Sequence, residues 1–280
     1  MIRDALRPHG VKLTAVYILT LACSFAGLLY PLATAKAIDG VLAGDWRAVF
    51  WLAGCHAAVL ILAVADKRYD TRVFTRVYSE VASRVVATSR AEGLDEAIVA
   101  ARASLSREYI NFLERDVQAV ITAILGITIS LSAIFAMQPI VGAACVGLIP
   151  LLTLISRDLA RKSKILNAGL NHRLEREVLI LRNGRNESTR RHFNALAGWR
   201  IHLSDAEAKA FGLMEVTVIV LFTTALWQLG AAKKTSAGEI YAVFSYIWRY
   251  VGALDQAPRL IQQVAKLQDL NERFSGRKKQ

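Results

Sequence analysis

The chain has 280 residues, and 54% of them are hydrophobic. This share and a mean hydropathy of +0.33 exceed the values of typical soluble domains, so the composition indicates a membrane protein. The formal net charge is +12, but no compact basic patch with interleaved aromatic residues occurs, which excludes nucleic-acid binding as the explanation of the charge.

Six apolar segments follow one another along the chain, each of about 18 to 23 residues, the length at which a helix crosses a bilayer core of about 30 Å. Because lipid offers no partner to backbone polar groups, we expect six transmembrane helices and an all-α fold. No cleavage motif of small residues follows the first segment, so it is expected to remain as an anchor. The segments are residues 13–35, 48–65, 117–137, 140–156, 211–232 and 240–258.

Two of the connections between these segments are very long. Residues 66–116 and 157–210 form connections of about 50 residues each, whereas the other three connections are short turns. Most of the 35 Lys and Arg residues lie in the long connections and at the two chain ends. Since basic residues remain on the cytoplasmic side, we expect both termini and both long connections in the cytoplasm, and the chain in the inner (plasma) membrane of a bacterium.

The long connections have the composition of helices rather than of loops. The first contains no Pro, and Val77, Val81 and Val85 recur at the four-residue spacing of one helix face. We expect two helices around a break at 92–95, and a similar pair around 183–186 in the second connection. The transmembrane helices would then continue far into the cytoplasm, where their charged tips can dock a soluble partner.

The cysteines do not indicate a metal site. All of them fall within apolar segments and none has the spacing of metal ligands, so we expect small packing residues and no bound metal. They are Cys23, Cys55 and Cys145.

Several short stretches occur in an order that is typical of one family. They are a Pro followed by an Ile-Asp pair in 31–40, Leu105-Ser106-Arg107 with Asp116, the acidic stretch 173–180, the stretch 235–246 that enters the sixth segment, and the tail residues 270–274. Together they resemble the transmembrane domain of ABC exporters of the six-helix, domain-swapped type. The resemblance covers residues 1–274 and leaves 275–280 as a basic cytoplasmic tail.

The resemblance implies a homodimer whose twelve helices enclose a cavity that opens alternately to each side of the membrane. It also implies a short coupling helix at each hairpin tip, near 90–100 and 182–190, that contacts a nucleotide-binding domain. The coupling contacts would come from Asp95, Glu96, Arg185 and Asn186.

The motifs of an ABC ATPase do not occur in these residues. The sequence contains neither the phosphate-binding pattern G-x-x-x-x-G-K-[ST] nor the Leu-Ser-Gly-Gly-Gln signature. We therefore expect no catalytic residue and no cofactor in this chain, and ATP with Mg²⁺ on a separate nucleotide-binding subunit. Membrane lipid is the other expected partner.

Ionisable residues within the apolar segments are candidates for a substrate pathway, because charges are costly in lipid. They are His56 in the second segment, Glu215 in the fifth, and Arg249 and Asp255 in the sixth. The alternatives are acids that face a cavity without a chemical role and a histidine packed in the core. Glu215 could also pair with Arg249 across adjacent helices.

Aromatic residues are frequent in the sixth segment. Tyr241, Phe244 and Trp248 share one helix face by their spacing. They form either a stripe that contacts substrate or a belt that serves packing.

Three functions remain open. The first is the membrane subunit of an ABC-type exporter whose ATPase is a separate chain. The second is a peptide or small-molecule transporter of the same fold that is driven by protons, in which Glu215, Asp255 and His56 would carry the protons. The third is a membrane scaffold or regulator without transport activity. Two full-length hairpins with charged tips favour the first, since such tips have a purpose only if a partner docks there.

Overall fold

The computed structural model describes residues 7–182, 186–231 and 235–274, and every regular element in these ranges is helical. The predicted all-α class is confirmed. A 3₁₀ turn (Arg7–His9) precedes the first helix, and a π-helical turn (Phe112–Asp116) joins the third helix to the fourth. The helices are α1 (Gly10–Leu42), α2 (Arg47–Ala91), α3 (Glu96–Asn111), α4 (Val117–Met137), α5 (Pro139–Glu175), α6 (Glu177–Arg182), α7 (Asn186–Ala231) and α8 (Ala237–Phe274).

Five helical stretches of the described chain are long and apolar enough to cross a membrane, by length and composition. They contain the first four predicted spans and the fifth up to Ala231. The sixth predicted span lies in α8, which has 38 residues but is not one of the five. Arg249 and Asp255 lower the hydropathy of this segment, so its crossing stays a prediction. The five stretches are Arg7–Leu42, Arg47–Ala91, Glu96–Met137, Pro139–Arg182 and Asn186–Ala231.

The helices extend well beyond the apolar segments, as predicted. α2 has 45 residues and α7 has 46, so each is about 68 Å long, roughly twice the thickness of a bilayer core. α1 also continues past residue 35, where the first apolar segment ends, and the following turn is shortened to residues 43–46. Pro31 is buried within the helix rather than placed at its end.

The chain divides into two compact units. The first comprises residues 1–138 and 232–280, and within it α1 packs against α2, α4 and α8. α4 also packs against α8, and α3 packs against α2. The second unit comprises residues 139–231, and within it α5 packs against α7, with the short α6 beside both.

A hydrophobic cluster packs α2 against α1 and α3 in the first unit. Val77, Val81 and Val85 of α2 are each 1% exposed at the predicted four-residue spacing, which confirms the helical interpretation of the first long connection. Each buried valine contributes about 1.5 to 3 kcal/mol relative to an exposed one. The cluster consists of Val73, Phe74, Val77, Val81 and Val85 of α2, with Val16 of α1 and Ile110 of α3.

The first long connection breaks where the sequence predicted. α2 ends at Ala91, Gly93 adopts a φ of 67° that favours glycine, and α3 begins at Glu96. The short separate helix expected at 90–100 is not present, because α2 and α3 meet directly at this turn. In the second connection α5 ends earlier than expected, at Glu175, and residues 183–185 of the predicted break lie outside the described residues.

Candidate functional site

The far end of α1 is bonded to the start of α8 through Asp39. The Gly238 backbone N–H donates to Asp39 Oδ1 at 2.8 Å, and the Ser236 hydroxyl donates to Asp39 Oδ2 at 2.7 Å. The Glu239 N–H in turn donates to Ser236 Oγ at 3.0 Å, so Ser236 caps α8. The carboxylate also faces the positive end of the α8 dipole, which favours its charge.

Gly238 allows this close approach of the two helices. A Cβ atom at this position would lie 2.1 Å from the Ala35 carbonyl oxygen and 2.6 Å from Asp39 Oδ2, closer than real Cβ atoms come. Gln138, at the turn after α4, donates to Glu239 Oε1 at 2.9 Å. These contacts fix the ends of α1, α4 and α8 relative to one another.

A cavity of about 700 Å³ lies between α1, α4 and α8, entirely within the first unit. A Cβ atom added at Gly126 would lie 3.4 Å from Ala253 Cβ, so the backbones of α4 and α8 approach closely beside it. Small residues on all three helices leave room for its volume. They are Gly27, Ala119, Ala123, Gly126, Gly252 and Ala253.

Polar side chains line much of this cavity. The Ser24 and Thr122 hydroxyls lie 3.2 Å apart across α1 and α4, and Thr20 Oγ1 donates to Asp66 Oδ1 at 3.3 Å. Polar groups at membrane depth are costly in lipid and are tolerated where they face protein or water. The cavity therefore offers hydrogen-bonding groups within a wall that is otherwise largely apolar. Its hydrogen-bonding residues are Thr20, Ser24, Asp66, Gln118, Thr122 and Gln256.

Two arginines complete the wall. Arg115 comes from the π-helical turn and Arg249 from the middle of α8. Both side chains are exposed in the protomer, and neither forms an ion pair with any residue that the structure describes. Trp248, which is 70% exposed, lies beside Arg249 on the same wall. The cavity lining thus combines two arginines, the carboxyl of Asp66 and one exposed indole ring.

The structure separates the predicted pathway residues of α8. Arg249 and Trp248 line the cavity, whereas Tyr241 and Phe244 do not. Asp255 is exposed, and the adjacent Gln256 lines the cavity instead. The three aromatic residues share a face by spacing, but only the third of them reaches the level of the cavity.

His56 and Glu215 lie elsewhere. His56 is exposed on α2 in the protomer, where its ring lies 5.4 Å from that of Tyr30 at a tilt of 57°. Glu215 is exposed on α7, in the second unit. Since Glu215 and Arg249 belong to different units, their pairing stays a prediction.

The predicted coupling residues lie at the helix ends of the two hairpins. Asp95 is the N-cap of α3 and accepts from the Ala97 N–H at 3.3 Å, while Glu96 is exposed. Asn186 is the exposed first residue of α7, and Arg185 lies outside the described residues.

A contact within the first hairpin was not foreseen from the sequence. Arg102 donates to Glu92 Oε2 at 2.7 Å and to Ser89 Oγ at 3.3 Å. It therefore bonds α3 to the end of α2 and holds the turn.

Most cavity residues were missed by sequence reasoning, although a signal for them exists. Thr20, Ser24 and Gly27 follow one face of α1 at spacings of four and three residues. Gln118, Thr122 and Gly126 repeat the pattern on α4. Stripes of small and polar residues in apolar helices mark helix–helix contacts and cavities. No cluster of three or more His, Cys, Asp or Glu that could hold a metal occurs among the described residues.

Comparison with known proteins agrees with this architecture. The sequence pattern of the ABC transporter transmembrane region matches residues 2–238, which is most of the chain. Among curated proteins, none matches the chain significantly. The match, the apolar helices and the all-helical fold together show an integral membrane protein, and the chain belongs to the ABC transporter transmembrane region family.

Proposed function

We propose that the chain is the membrane part of an ABC-type exporter and forms an alternating-access pathway. The observation that carries this proposal is the cavity of about 700 Å³ with its polar lining. Helices that only pack in lipid gain nothing from two arginines and six hydrogen-bonding side chains on one cavity wall. A passage for a polar or amphipathic solute accounts for both.

The working form that we propose is a domain-swapped homodimer with six spans in each protomer. The division into two units supports it, because α5 and α7 pack on each other in a unit of their own, as the exchanged part of a domain-swapped dimer would. α8 would be the sixth span. Its side chains Val243, Tyr246, Ile247 and Tyr250 are fully buried by protein, so this helix does not need an apolar surface towards lipid.

ATP hydrolysis is the proposed energy source, by a nucleotide-binding domain outside these 280 residues. It would dock on the two hairpin turns, with both turns and both termini in the cytoplasm and the chain in the bacterial inner membrane. The Asp95 cap and the Arg102–Glu92 pair support a rigid first turn that can transmit motion, and Glu96 is exposed for contact.

Cys23 provides a test of alternating access, since it lines the cavity and the other two cysteines can be replaced by Ala. The protein is placed in oriented vesicles, and an extract of its native membranes serves as the source of the nucleotide-binding domain. A membrane-impermeant thiol reagent is then applied to one face or the other, first without and then with the extract and ATP. Reaction of Cys23 from one face in one condition and from the other face in the second supports the proposal. Access from a single face under all conditions contradicts it.

Proton-driven transport is the second candidate, and Asp66 favours it. This carboxyl lines the cavity, and Asp70, one turn further along α2, is buried and accepts from Gln118 Nε2 at 2.6 Å. A carboxyl that changes charge during the cycle is the central requirement of a proton-coupled carrier. If Asp66→Asn stops the change in Cys23 access while ATP has no effect on it, this candidate replaces the first.

A further inference from the structure

The charge of the cavity wall distinguishes classes of substrate. Arg115 and Arg249 are its cationic residues, and Asp66 is its one acid among the described residues. Asp66 already accepts a hydrogen bond from Thr20. Neither guanidinium has an ionic partner in the described chain, so each retains its donors for a solute.

The position of these arginines makes an anionic solute favourable. Arg249 lies in the middle of the sixth predicted span, where a guanidinium loses hydration, and a bidentate contact with a sulfonate, carboxylate or phosphate replaces that hydration with charge-assisted hydrogen bonds. A cationic solute would instead be repelled by the guanidinium at either position. The wall therefore favours an anion over a cation of the same shape.

The rest of the lining indicates an apolar body next to the anionic group. Trp248 is the residue beside Arg249, and Leu28 and Cys23 lie on the facing helix α1. A volume of about 700 Å³ is within the range of pockets that bind drug-sized ligands. Resting on the function proposed above, we propose that the cavity binds an amphipathic organic anion, with its charged group at Arg249 and its apolar part against Trp248. Arg115, further along the same cavity, adds to the positive charge of the lining.

Two fluorescent probes test this directly. 1-Anilinonaphthalene-8-sulfonate and N-phenyl-1-naphthylamine share one aromatic amine, and only the first carries a sulfonate. Each is titrated against the protein in nanodiscs of neutral lipid, and energy transfer from tryptophan is recorded. The signal lost in Trp248→Phe, out of five tryptophans in the chain, reports binding in the cavity.

The decisive quantity is the half-saturation concentration of the sulfonate probe divided by that of the uncharged probe. This ratio is compared between wild type and each variant, so that the partition of each probe into lipid cancels. We expect Arg249→Gln to shift this ratio against the sulfonate by about tenfold, Arg115→Gln to shift it in the same direction, and Arg249→Lys to shift it less. Arg84→Gln, an exposed arginine of α2 outside the cavity, should leave it unchanged. A ratio that is the same in wild type and Arg249→Gln overturns the inference.

The source of the anion is resolved by two further arms. If phosphatidylglycerol in the nanodisc competes with the sulfonate probe in wild type but not in Arg249→Gln, the anion is a lipid headgroup. If decanoate in neutral nanodiscs competes with the probe in the same way, the anion is a soluble amphipath. Failure of both competitions counts against an amphipathic anion. Because these are equilibrium measurements, probes that bind without charge preference overturn this inference while the Cys23 test of alternating access stands independently.

Discussion

The Asp39 carboxylate accepts a hydrogen bond from the Gly238 backbone N–H at 2.8 Å, across a separation of 199 residues. It also accepts from Ser236, so one side chain of α1 satisfies two groups at the start of α8. The Ile-Asp pair and the Ser-Ala-Gly-Glu stretch, which the sequence presents as separate features, are therefore two halves of one helix junction.

Replacement of Asp39 should destabilise this junction. Asp39→Ala removes two charge-assisted acceptors and should lower the free energy of unfolding by about 2 to 3 kcal/mol. Asp39→Asn keeps one acceptor oxygen and should cost about half as much. SDS unfolding of the protein in mixed micelles, followed by tryptophan fluorescence, measures both. Equal stability of wild type and Asp39→Ala would show that water replaces the carboxylate without loss.

Gly238→Ala should be harmful for a steric reason. Its Cβ would collide with the Ala35 carbonyl oxygen and push α8 away from α1, at a cost of about 1 to 3 kcal/mol. Gly230→Ala on α7 is the matched control, because nothing lies within 4 Å of the added atom and alanine favours the helix. In the same unfolding assay, Gly238→Ala should be less stable than wild type and Gly230→Ala should be more stable. A neutral Gly238→Ala would be inconsistent with the described approach of the two helices.

The cluster on α2 should account for much of the stability of the helical extension. Val81 is 1% exposed, and Val81→Ala should cost about 1.5 to 3 kcal/mol through lost burial and the cavity left behind. Ile98→Ala, at a residue of α3 that is 47% exposed, should change stability by no more than about 0.5 kcal/mol. Proteolysis of the extension at low protease concentration provides a second readout. Similar losses for both variants would argue against a tightly packed cluster.

Cysteine labelling tests the predicted sidedness. In a chain without its native cysteines, Glu96→Cys and Asn186→Cys should react with an impermeant maleimide only after cells are permeabilised, and Trp46→Cys should react before. All three positions are exposed, whereas Ser89 in the same hairpin is fully buried and would not report. Labelling of Glu96→Cys in intact cells would reverse the orientation.

Charge reversal at the first hairpin turn separates the two energy sources. If a nucleotide-binding domain docks there, Glu96→Lys should abolish the ATP-dependent change in Cys23 access, while Glu215→Gln and Asp255→Asn leave it intact. Asp95 is unsuitable for reversal because its side chain caps α3, so loss of the cap would confuse the result. Loss of the change in Glu215→Gln or Asp255→Asn, with a normal Glu96→Lys, would favour protons instead.

The helices were predictable from the sequence because their signals are local. The valine spacing on α2 and the glycine at the turn each act within a few residues, so the pattern and the structure agree at Val77, Val81 and Gly93. The extension of α1 from residue 35 to Leu42 was not predicted, since it adds polar residues such as Lys36 and Asp39 that lie outside the apolar pattern.

The cavity was predicted only in part, for a related reason. A charge inside an apolar segment is visible in the sequence, and Arg249 was found in this way. Asp66 and Arg115 lie just beyond their segments, and nothing local shows that three helices bring them to one wall. The contact of Asp39 with Gly238 joins distant parts of the chain and depends on packing that short patterns do not encode.

The uninterrupted length of α2 has a mechanical consequence. Asp66 in the cavity wall and Ala91 at the hairpin turn belong to the same helix, separated by about 38 Å along its axis. A tilt of this rod by a few degrees displaces its end by several ångströms. Because its valines pack against Val16 of α1 and Ile110 of α3, we expect those helices to move with it. Under the proposed function, a push at the turn would then reach the wall of the cavity as a rigid-body rotation.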